Sequence, residues 1–61
     1  MTYIIRADSV LTPGRVAHAG QGDVVVVRRD ALRRHDWAAM VTAVAVAFSR
    51  GARIEMEGED E

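Results

Sequence analysis

The sequence predicts an α+β domain: a small three- to four-stranded mixed sheet, ordered β-(β)-β-α-β, with one apolar helix packed on one face. Three observations lead there. The run Val24-Val25-Val26-Val27 is β-branched throughout and apolar on both sides of an extended chain. The segment Trp37 to Ser49 holds no ionisable side chain over 13 residues, and its apolar residues recur at helical spacing. From Ala52 to Glu57, apolar and charged residues alternate, the pattern of a half-exposed strand.

In chain order, residues 2–10 read as a strand with Tyr3, Ile5, Ala7 and Ser9 on one face and Ile4, Arg6, Asp8 and Val10 on the other. Thr12-Pro13-Gly14-Arg15 suits a type II turn, because Pro presets φ at its second position and Gly accepts positive φ at its third. Arg15 to His18 is then an optional short return strand, and Gly20-Gln21-Gly22-Asp23 a second turn. Asp23 to Arg29 is the central strand, expected to be covered on both sides. Asp30 is placed to cap a short turn through Arg34, Asp36 to cap the main helix 37–50, and Gly51 to end that helix in the left-handed conformation. Strand 23–29, the helix and strand 52–57 form a βαβ unit with parallel strands and a right-handed crossover. The first strand is expected as an antiparallel neighbour. Residues 58–61 form an acidic tail, and no repeat or linker divides the chain, so 1–61 reads as one domain.

Size makes stability a problem. A chain of 61 residues buries only about 60% of the surface its unfolded form exposes. Small domains commonly add disulfides, a metal or a partner. With no Cys in the sequence, disulfides and thiolate metal sites are excluded. All basic residues are Arg, which suggests a GC-rich genome, and the formal net charge of −1 gives no general attraction to nucleic acid or membrane. The uncharged run is too short for a bilayer span, which needs about 20 residues. The start, Met1 to Arg6, lacks the basic opening and cleavage site of a signal peptide. A cytoplasmic protein or a virion component is therefore expected.

On the helix, Trp37, Met40, Val41, Val44 and Phe48 form the stripe expected to cover the sheet. The opposite side is not charged, as it would be on a solitary surface helix. It carries Ala38, Ala39, Thr42, Ala43, Val46 and Ser49, and Ala39, Ala43 and Ala47 recur every fourth residue. Small residues at that spacing let another helix approach closely. Ala39, Ala43, Val46 and Ala47 are accordingly the candidate interface, with a second copy or another protein as partner.

Arg28, Arg29, Arg33, Arg34 and His35 cluster just ahead of the helix. Cations are unfavourable beside a helix N-terminus, so the cluster is a candidate anion site for a phosphate, a nucleic-acid backbone or a partner carboxylate. The plainer alternative is a solvated basic turn balanced by Asp30 and Asp36. The acidic residues Glu55, Glu57, Glu59, Asp60 and Glu61 offer such a carboxylate from a neighbouring subunit. His18 and His35 lack metal-ligand spacing, and Ser9 and Ser49 stand in no triad pattern, so no catalytic residue, metal or cofactor is assigned. These features together favour a non-enzymatic, self-associating interaction or structural subunit of a larger assembly, phage-encoded or regulatory. The alternatives are a small oligomeric enzyme with a pocket between subunits, and a nucleic-acid-binding regulator using the arginine cluster.

Overall fold

Ser9 ends the first strand early. Its hydroxyl accepts a hydrogen bond from Arg6 N (3.3 Å) and donates one to Arg6 O (3.2 Å), folding residues 6–9 into a turn. The strand expected over 2–10 is therefore β1, Thr2–Ile5. At Pro13 the chain enters a helix rather than a type II turn. Thr12 is extended (φ −100°, ψ 156°) and its Oγ1 accepts from Arg15 N, while Pro13 occupies the first helical turn of α1, Pro13–Ala17. This is an N-cap succeeded by Pro at N1, where the missing N–H costs nothing. Val16 on α1 is fully buried.

The remaining elements of this computed structural model, which describes residues 1–56, are β2 (Val24–Val27), a 3-10 turn (Arg29–Arg33), α2 (Trp37–Ser49) and β3 (Arg53–Met56). The acidic tail expected at 58–61 lies outside the described residues. The architecture is α+β: a three-stranded sheet in the order β1-β2-β3 with one main helix. All pairings are parallel. The expected antiparallel placement of the first strand is overturned by α1, because a helical connection carries the chain back to begin β2 at the same end as β1. The short return strand at 15–18 is absorbed into α1, which leaves three strands.

Alternation divides the strand residues between two faces. Tyr3, Ile5, Val25, Val27, Ile54 and Ala52 join the apolar core with Val16, Met40, Ala43 and Ala47 of the helices. The helices also pack directly against each other, so both lie on this face. Val25 and Val27 fill the centre, and Ile5, Met40, Val16 and Val25 are the largest fully enclosed side chains.

α2 ends as its glycine predicts. Gly51 has φ 101°, Ala52 N donates to Ala47 O at 3.0 Å, and Gly51 N donates to Phe48 O at 3.0 Å. These are the paired bonds of a Schellman motif. At the other end Asp36 holds the N-cap position but makes no capping bond. Its carboxylate is turned toward Arg34 instead. Asp30 likewise lies inside the 3-10 turn, whose cap position belongs to Arg28.

Two carboxylates are held below the usual range. Asp23 is lowered by the Gly20 N–H at its Oδ2 (3.0 Å) and then by the N-terminal ammonium at its Oδ1 (3.1 Å). Asp36 is lowered by hydrogen bonding to Arg34. Both are ionised, folded and unfolded, at neutral pH, so their stabilisation is fully present there. On acidification the unfolded chain takes up protons first, near the ordinary value of 3.8, and stability falls as the pH drops through the lower folded values. Thermal melts should thus be flat from about pH 7 to 5 and decline progressively below about pH 4. A melting temperature unchanged down to about pH 2 would contradict this.

Candidate self-association interface

The second face of the sheet is formed by Thr2, Ile4, Val24, Val26, Arg53 and Glu55. None of the six belongs to the core that the helices cover. The sequence pattern predicts a central strand covered on both sides; α1 and α2 cover one. Parallel sheets are ordinarily covered on both. Ile4 is 43% exposed and Val26, in the middle of its row, 7%. At the β3 border Arg53 Nε and Glu55 Oε2 stand 3.0 Å apart, with side chains 75% and 42% exposed.

The interface candidates on α2 divide. Ala39 and Val46 are exposed, but Ala43 and Ala47 are 5% and 0% exposed inside the chain's own core. The close helix contact implied by their spacing is made by α1 of the same chain, so these two alanines cannot meet a partner without opening the fold. The stripe expected to cover the sheet also shifts. Met40 is buried and Trp37 and Val44 are partly buried, whereas Val41 and Phe48 look outward. The buried line of α2 is therefore Met40, Ala43 and Ala47, rotated from the bulkiest residues toward the small ones.

The arginine cluster divides too. Arg34 points inward, and its side chain is only 9% exposed. Its Nε and Nη2 grip the two carboxylate oxygens of Asp36 at 2.7 and 3.0 Å. Nη1 donates to Arg6 O (2.9 Å), Ser9 O (3.0 Å) and Ser9 Oγ (3.0 Å), and Nη2 also donates to Leu11 O (2.8 Å). The fork thus ties the loop after β1 to the entrance of α2. Its donors are directed at acceptors within the chain, which removes Arg34 from the anion site. Arg33 and His35 are exposed; Arg28 and Arg29 are exposed as well, and neither is without a partner. A shallow groove of about 380 Å³ brings only two of the five together, Arg29 and Arg33, with Asp30 and Leu32 completing its wall.

A groove of about 390 Å³ runs beside β1, bounded by Tyr3, Ile4, Val10, Leu11 and Arg15, with neither histidine in its wall. Among the described residues no three His, Asp or Glu side chains lie together as metal ligands. No helix there is long and apolar enough to cross a membrane. No known protein family matches the chain, and neither does any curated protein or solved structure.

The sequence pattern marks the apolar strand but directs attention to the helix as the contact surface. The signal for the sheet face is nevertheless present: Val24 and Val26 fall on one side of a run with no charge, and Ile4 has the same parity within its own strand. An expectation of cover on both sides of the central strand hides it.

Proposed function

We propose that the protein is a non-enzymatic interaction subunit that self-associates, a second copy covering the open face of its sheet. One observation carries this reading: an all-parallel sheet whose central strand is apolar on both sides, with helices over one side alone among the described residues and Ile4 left exposed on the other. A parallel sheet leaves water on one face only rarely, because its strands present apolar side chains both ways. A copy of the same chain brings the matching surface. The area buried there supplements a core limited by chain length.

Ile4→Glu tests it. Ile4 stands outside the core, so the substitution should leave the folded subunit intact. It introduces an unpaired carboxylate twice in every dimer, and such desolvation should weaken association about 100-fold or more. Sedimentation equilibrium at about 50 μM should give a dimer for the native chain and a monomer for the variant. A native chain that sediments as a monomer at this concentration would overturn the proposal.

A further inference from the structure

Resting on that self-association, we infer a specific docking geometry: the two sheets meet face to face with strands antiparallel, so that Arg53 of each subunit pairs with Glu55 of the other.

The open face has two rows across the strands, Thr2-Val24-Arg53 and Ile4-Val26-Glu55. Each row runs from an uncharged residue on β1 through a valine on β2 to a charged residue on β3. The two charges are opposite in sign and lie two residues apart on one strand, about 6.6 Å. A symmetric face-to-face dimer has two simple choices for its two-fold axis. With the axis along the strands, β3 of one copy lies over β1 of the other. Arg53 then faces Thr2 and Glu55 faces Ile4, so the intrachain pair loses water while its remaining donors and acceptors gain nothing from the other copy, which is costly.

With the axis across the strands, β3 lies over β3 in the opposite direction and the rows exchange. Ile4 then faces Thr2, Val26 faces Val24, and Glu55 faces Arg53 twice, once on each side of the axis at the β3 border. The apolar strip meets an apolar strip and the charges cross in pairs. Packed sheets lie about 10 Å apart, a gap that an arginine and a glutamate reaching toward each other can span. In the single chain Arg53 already holds Glu55 through Nε. The guanidinium has four further N–H donors for the opposing carboxylate. The dimer therefore closes a ring of four charges at its β3 border. Charge complementarity selects this arrangement, and a face with charges of one sign could not adopt it.

The test is a charge exchange between chains. In Arg53→Glu alone both crossings become Glu–Glu, and in Glu55→Arg alone both become Arg–Arg. Each single variant should dimerise about tenfold or more weakly at low salt. Mixed in equal amounts, they restore opposite charges at every crossing, so native mass spectrometry should show the mixed dimer well above its statistical share of one half. The double variant R53E/E55R should dimerise like the native chain. This recovery separates docking from any folding defect, since each partner in the mixture still carries its own substitution. Single variants that dimerise as tightly as the native chain, or a mixture at statistical proportions, would overturn the crossed geometry while leaving self-association standing. A monomeric native chain would remove the underlying reading, and this geometry with it.

Discussion

Arg34→Met should leave the protein largely unfolded at room temperature. The methionine keeps much of the aliphatic stem but removes the fork that holds Asp36 and the carbonyls of Arg6, Ser9 and Leu11. Hydrogen bonds made by a charged group contribute about 1.5–3 kcal/mol each. A domain of this size seldom has more than about 3–5 kcal/mol in total. Even after discounting for coupling among bonds that share one side chain, the loss is on the order of the whole stability. Arg34→Lys keeps the positive charge as a compact point with no planar fork, and cannot reach all the acceptors at once. Its stability should be intermediate. Circular dichroism and urea titration give the readout. A cooperative Arg34→Met melt within a few degrees of the native chain would mean that the loop after β1 is held by something else.

Ala43→Glu should be equally severe, and for a reason that sets it apart from a surface effect. Ala43 is 5% exposed within the core where α1 and α2 pack together. A glutamate there either loses its water with no partner or forces the helices apart. Such substitutions cost more than about 3 kcal/mol, so the folded state itself should disappear rather than the assembly alone. Ala39→Glu is the comparison. Ala39 lies one helical turn earlier on the exposed side, and surface changes of this kind usually fall within about 0.5 kcal/mol. If the position-43 variant folds and merely stays monomeric, α1 does not pack where the structure places it, and the alanine face belongs to an interface after all.

These outcomes bear on how far the sequence could be read. The bounds of α2, its left-handed end at Gly51, the central position of β2 and the parallel β2–β3 pair all arise from local patterns. Periodicity and a glycine at C′ carry physical requirements that distant residues seldom override. α1 is ambiguous in the sequence because Pro next to Gly satisfies both a type II turn and a first helical turn. The discriminating residue was Thr12, whose hydroxyl can cap. That one ambiguity has wider effects. Without α1, β1 has no crossover, and an antiparallel pairing is the expectation. Without α1, the spacing of Ala43 and Ala47 also pointed to a helix from another chain. Arg34 was not legible at all, because several of its acceptors are backbone carbonyls, and a carbonyl leaves no mark in a sequence. The open sheet face was legible in composition but not in consequence, since nothing local tells how many sides of a strand its own chain will cover.

The parallel ladder also governs the order of events during folding. No two neighbouring strands are joined by a hairpin. Thr2 must find Val24, and Val24 must find Arg53, each across more than twenty intervening residues. Every pairing therefore closes a long loop before it returns any contact energy, and no short segment can serve as a self-sufficient nucleus. A nascent chain still missing β3 has only two strands to pair, and an isolated pair is marginal. The sheet thus becomes secure only after the chain through Met56 has left the ribosome, and until then the valine run lacks its neighbour on the β3 side.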